Sequence, residues 1–192
     1  MPELPSTARG TATRRRILDV AADEFAERGI AGARIERITR AARTNKAQVY
    51  GYFGSKDGLF DAVVSDSIDR LTTIAPFEGA DLAGWAVRLY DEYLRQPELI
   101  RLTTWIRLER RPTGRLFDDA DHAAKLTAIE EAQAAGRIRA GDPFELLTLV
   151  IGMSCAWSPA SGVYAAGLDE TAAVHTRRRE LLRESVTRVL AP

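Results

Sequence analysis

Cysteine is nearly absent: Cys155 stands alone in 192 residues, so no internal disulfide is possible and the chain reads as one made for a reducing compartment. Histidine is almost as scarce, with only His122 and His175. One thiol cannot build a thiolate metal cage, and neither a Gly-rich phosphate loop nor a G-x-S-x-G turn occurs. No catalytic residue, bound metal or cofactor is therefore expected. Asp118 and His122, four apart on an expected helix, are the one pair with metal-ligand spacing, but a solvated acidic helix start accounts for them equally. Long apolar runs are also missing, and the N-terminus lacks the hydrophobic section of a signal peptide, so cytoplasmic residence without a membrane partner is expected.

Excess charge of either sign is lacking overall, with 27 Lys/Arg against 27 Asp/Glu, which by itself argues against a nucleic-acid partner. The distribution argues the other way. Residues 1–56 hold 11 basic and 6 acidic side chains, a net +5, and the remainder holds 16 and 21, a net −5. A basic first quarter joined to an acidic body suits a phosphate-facing module on a regulatory domain. At 45% hydrophobic and 28% charged, the chain has the composition of an ordinary globular protein able to bury one or two cores.

The pattern is helical throughout, with no strand alternation, so an all-α fold is expected. Between Ile35 and Lys56, Ile35, Ile38 and Ala42 recur at helical spacing, as do Val49 and Phe53. Two short helices follow, separated by Ala-Arg-Thr-Asn, in which Thr44 or Asn45 can accept a hydrogen bond from the N–H groups that open the second helix. This is the helix-turn-helix arrangement, whose second helix enters the DNA major groove. Thr44, Asn45, Lys46, Gln48, Tyr50 and Tyr52 form its polar edge. Gln48 can pair bidentately with adenine, Lys46 reach guanine or phosphate, and the tyrosine hydroxyls hold phosphate oxygens. On pattern alone an ordinary solvated helix pair is as good a reading.

Residues 14 to 64 resemble the N-terminal DNA-binding domain of the TetR family of repressors. The segments are RRRILDVAADEFAERG, IERITRAA, NKAQVYGYF and GSKDGLFDAVV. Ala21, Phe25, Gly29, Ile38, Tyr50, Phe53 and Lys56 fall where that family places core, turn or phosphate-contacting residues. One departure is plain: Arg43 and Thr44 stand where family members usually carry glycine and a small apolar residue. Arg43 would then adopt a left-handed conformation at modest cost.

The expected organisation is a flexible arm over 1–12, a helix-turn-helix domain over 13–56, and a helical ligand-binding and dimerisation domain over 57–192 whose first part, 57–74, is a connecting helix. Thr13 is expected to cap the first helix, Gly29 to end it, and Ser55 to cap the connecting helix. Arg14, Arg15 and Arg16 sit unfavourably against the dipole of a helix starting there, a cost a polyanion would offset. Arg14, Arg34 and Lys56 join the reading-helix residues as candidate DNA contacts. Further helices are expected over 81–95, 97–110 and 116–135, from Pro143 to about Trp157, and over 169–190. The apolar run Phe144–Trp157 needs cover on nearly all sides, and pairing it and the last helix with a second copy makes a four-helix bundle, the dimer contact the resemblance implies. Trp85, Tyr90, Tyr93, Thr103, Trp105, Met153 and Trp157 are candidates for lining an effector pocket, although each also suits plain core.

The sequence thus points to a ligand-responsive regulator, most simply a repressor. It would bind a pseudo-palindromic double-stranded operator as a homodimer and answer to a small molecule of unknown identity. A helical enzyme and an interaction module that does not read DNA are the alternatives.

Overall fold

The computed structural model describes residues 7–77, 81–111, 113–114 and 122–192. Among these it is all-α: α1 Ala8–Gly32, α2 Ile35–Ala41, α3 Lys46–Phe53, α4 Lys56–Ile74, α5 Leu82–Arg95, α6 Pro97–Trp105 with a π-helical extension Ile106–Arg110, α7 Ala123–Ala134, α8 Pro143–Ser154 and α9 Ala172–Leu190. The chain forms two compact units, the first holding the residues up to Arg70 together with Glu98–Arg111, the second holding the rest.

The first unit is built on the apolar stripe of α1. Ile17, Leu18, Ala21, Ala22, Phe25 and Ala26 are buried, as are Ile35, Ile38, Val49, Phe53, Leu59, Phe60 and Val63 of the next three helices, and α1 packs against α2 and α3. Phe25 and Phe60 pack edge to face at 5.0 Å, both fully buried. Burying side chains of this size contributes roughly 1.5–3 kcal/mol each, which is what holds such short helices in place.

Helix α1 starts earlier than expected. Thr7, not Thr13, is its cap, accepting from the N–H of Gly10 at 3.1 Å, and the helix already runs through Ala8–Ala12. No proline follows Pro5 to stop it, and Thr13 instead donates its hydroxyl back to the Arg9 carbonyl at 2.9 Å inside the helix. Arg14–Arg16 therefore sit more than a turn from the N-terminus, where the opposing dipole field has faded. Residues 1–6 of the expected arm lie outside the described residues.

Gly29 takes φ 69° and ψ 179°, a conformation essentially reserved for glycine, and the chain makes one more turn to Gly32. A Cβ there would collide with the Glu109 carboxylate and the Trp105 ring. Those two side chains belong to the same unit. Glu109 accepts from the N–H groups of Ile30 and Ala31, each at 2.8 Å, and the Trp105 indole donates to the Ala26 carbonyl at 3.3 Å. The expected α-helix over 97–110 thus changes to a π-helical turn after Trp105, and it is the widened turn that carries Glu109.

In the second unit α5 is central, with Leu82, Trp85, Ala86, Leu89, Tyr90 and Tyr93 all buried, and it packs against α8 and α9. Helix α8 turns Leu146, Leu147, Val150 and Ser154 inward, and α9 turns His175, Leu182, Val186 and Leu190. Asp142 caps α8 through the N–H groups of Phe144 and Glu145, and α8 ends at Ser154 rather than running on to Trp157. Helix α7 begins at Ala123; residues 116–121 of its expected first part lie outside the described residues.

Replacing Gly29 with alanine is expected to lower the stability of the first unit by about 1–3 kcal/mol from backbone strain alone, read as a drop in the urea midpoint. Gly51→Ala, at a helical glycine with open space around it, should instead stabilise by about 0.5–1 kcal/mol. Phe25→Ala should cost about 3–5 kcal/mol in the same titration.

Candidate nucleic-acid interface

Helix α2 and the turn after it are fastened from below. Arg16 donates Nε–H to the Ala42 carbonyl at 2.8 Å, closing the C-terminal end of α2 from α1. Glu24, whose side chain is 10% exposed, accepts from Arg37 at 2.7 Å and from the backbone N–H of Arg34 at 3.0 Å. Burial pushes the Glu24 carboxyl up, and those hydrogen bonds outweigh it, so the group sits below the ordinary carboxylate range. It stays ionised and fixes both ends of the first turn of α2.

The turn itself closes by a bond from the Thr44 N–H to the Thr39 carbonyl at 2.9 Å, with Arg43 at φ 51°. Arginine thus takes the left-handed conformation that glycine would adopt freely, and its exposed side chain leaves the surface. Asn45, rather than Thr44, caps α3: its Oδ1 accepts from the Gln48 N–H at 2.9 Å. Val49 and Phe53 anchor the inner side of α3, and Arg14 lies over the Phe53 ring at 5.4 Å from its centroid.

The outer side carries Thr44 to Tyr52. Asn45, Lys46, Gln48 and Tyr50 are exposed and Thr44 and Tyr52 half-buried. Lys46 forms an ion pair with Glu36 of α2 at 2.5 Å, and that hydrogen bond raises the lysine's pKa and lowers the glutamate's. The Thr44 hydroxyl donates to the side-chain oxygen of Gln48. Arg34 is exposed beside the N-terminus of α2, and Lys56 sends its ammonium toward the Ala31 and Ala33 carbonyls at 3.4 and 3.3 Å. Arg15 is engaged elsewhere, between Asp19 and Asp66, each at 2.5 Å. Sequence reading had no means to find Glu24, Glu36 or the Arg16–Ala42 bond as supports, since 10 to 26 residues separate these partners and no periodicity links them.

The seven candidate effector contacts separate. Tyr93 and Trp157 line a small cavity of about 10 Å³ with Tyr90, Leu94, Ser154 and Ser158, room for about one water. Trp85 is elsewhere in the second unit, edge-on to Phe77 and donating to the Ala75 carbonyl at 3.1 Å; Met153 is half-buried on α8. Thr103 and Trp105 lie on α6 in the first unit. Beside the cavity the Tyr90 hydroxyl and His175 Nδ1 are 2.7 Å apart, and Arg178 stacks over Trp157 and Tyr164 while pairing with Glu170. Asp118 lies outside the described residues, and among those described no three His, Cys, Asp or Glu side chains gather as a metal site would require. No described helix is long and apolar enough to cross a membrane.

Comparison with known proteins follows the same division of the chain. Residues 17–63 match the family of bacterial regulatory proteins of the tetR type, and residues 81–188 match the tetracyclin repressor-like C-terminal domain. The chain is 38% identical over 148 residues to the HTH-type transcriptional repressor SCO4008 of Streptomyces coelicolor, an alignment spanning 74% of this chain and 77% of that one. It is 34% identical over 97 residues to the HTH-type transcriptional repressor NicS of Pseudomonas putida, covering 47% and 46%. The crystal structure of SCO4942 from Streptomyces coelicolor superposes with a TM-score of 0.76 at 35% identity, over 93% of this chain and 98% of that one. A buried three-helix support beneath a polar-edged α3, together with matches to both halves of the architecture, makes the chain a DNA-binding transcriptional regulator of the TetR family.

Proposed function

We propose that the chain represses transcription by binding a pseudo-palindromic operator as a homodimer, and that a small molecule held in the second unit releases it. The observation that carries this reading is the edge of α3, where Asn45, Lys46, Gln48 and Tyr50 stay exposed while Val49 and Phe53 are fixed in the core. A helix so mounted can enter a major groove without rearranging its support. Arg14, Arg34, Tyr50, Tyr52 and Lys56 supply the phosphate contacts around it, and Thr44, Asn45, Lys46 and Gln48 face the bases.

Two copies are needed, because half-sites about 34 Å apart require two linked reading helices. The surface for the second copy is on α8 and α9, where Leu149 is 46% and Leu181 52% exposed. Apolar side chains left bare on adjacent helices are what an isologous four-helix contact would cover. Effector binding acts by population shift: a ligand preferring the arrangement whose reading helices miss successive grooves lowers operator affinity in proportion to that preference. Nothing in this mechanism calls for catalysis or a cofactor, and its DNA target places the protein in the cytoplasm.

Binding to random duplex DNA is expected to fall steeply with salt, and Arg34→Ala should reduce the slope of log affinity on log salt by about one while leaving sequence preference intact. Insensitivity to salt would remove the phosphate-contact reading. The double substitution Leu149→Glu, Leu181→Glu should convert the dimer to monomer in sedimentation and abolish operator binding; a dimer that persists would place the interface elsewhere.

A further inference from the structure

On the polar edge of α3 the amide oxygens of Asn45 and Gln48 each accept a hydrogen bond from within the turn and helix start. Asn45 Oδ1 is occupied by the Gln48 backbone N–H at 2.9 Å, which leaves the amide N–H groups of Asn45 for a partner. The side-chain oxygen of Gln48 is held by the hydroxyl of Thr44, which sets the orientation of that amide and leaves its two N–H donors for the groove. Lys46 can only donate. The backbone of Thr44 is in turn fixed by its N–H bond to the Thr39 carbonyl, so the residue that carries this hydroxyl belongs to the closed turn.

A glutamine that reads adenine must present oxygen and nitrogen together, because adenine offers an N7 acceptor beside an N6 donor. Guanine offers two neighbouring acceptors, N7 and O6, and no donor on its major-groove edge. A glutamine whose oxygen is turned toward Thr44 and whose N–H donors face outward fits guanine. Resting on the reading of α3 as the base-contacting helix, we infer that Thr44 is a specificity-determining residue: by holding the Gln48 oxygen it makes Gln48 select guanine in each operator half-site.

The arrangement has a consequence for substitution. Thr44→Val keeps the shape of the side chain and removes the hydroxyl, so the Gln48 amide regains both faces and adenine becomes an acceptable partner. Thr44 need not touch a base to set the preference, and so it acts as a positioning residue.

Selection of bound duplexes from a random pool by the full-length protein tests this. The position read by Gln48 is the one whose preference disappears in Gln48→Ala. Guanine is expected there for the unaltered protein, and the guanine-over-adenine ratio should fall about tenfold in Thr44→Val, within the range of one bidentate contact. Adenine at that position in the unaltered protein, or an unchanged ratio in Thr44→Val, overturns the inference. A second measurement needs no variant: placing 7-deazaguanine, which lacks N7, or 2-aminopurine, which lacks O6, at that guanine should weaken binding about fivefold or more in at least one case. Full affinity for both analogues overturns it. Should no sequence be enriched at all, the base-reading role of α3 itself falls, an outcome distinct from enrichment of adenine.

Discussion

An eight-residue helix is not stable by itself in water, so everything the first unit does depends on how α3 is held. Two side chains, Val49 and Phe53, seat it on a core that α1 supplies, and the rest of its surface is left to solvent. The remaining supports act at its ends. Asn45 closes the front of α3, Arg16 closes the back of α2, and Glu24 grips both Arg34 and Arg37 where α2 begins. The polar edge is consequently presented by a frame that has few ways to relax, which is the condition for reading one base in preference to another.

Much of the fold was legible from apolar spacing alone. Stripes at three and four residues located α2 and α3 and the core positions on them, and Gly29 and Ser55 marked a turn and a cap that the structure contains. The left-handed Arg43 was anticipated through the family resemblance, which puts a glycine at that place in the turn. The start of α1 was missed for a local reason: Ala8 to Ala12 has no apolar stripe, and helix there follows from the Thr7 cap and the absence of a proline. The π-helical turn after Trp105 was invisible for a different reason. It carries a contact from Glu109 to Ile30, 79 residues away, and no window of sequence holds both partners.

The edge of α3 shows where sequence reading of a site stops. Residue types there announce hydrogen bonding to bases, but the direction of each amide depends on which neighbour takes the oxygen. Thr44 and Gln48 are four apart, close enough for the pairing to be conceivable from sequence, yet a glutamine alone supports adenine or guanine equally well. The second unit poses the reverse situation. Its aromatic residues are plainly present, and the structure distributes them among a cavity wall at Trp157 and Tyr93, a core contact at Trp85 and, in the first unit, the kink of α1 at Trp105.

That distribution of indoles makes the molecule its own spectroscopic instrument. Trp105 reports on the bend at Gly29 through its bond to the Ala26 carbonyl, whereas Trp85 and Trp157 report on the second unit, and the chain has no further tryptophan. A version keeping Trp105 alone would emit from the DNA-binding half only, so melting of the two halves could be followed separately by intrinsic fluorescence, with no dye attached.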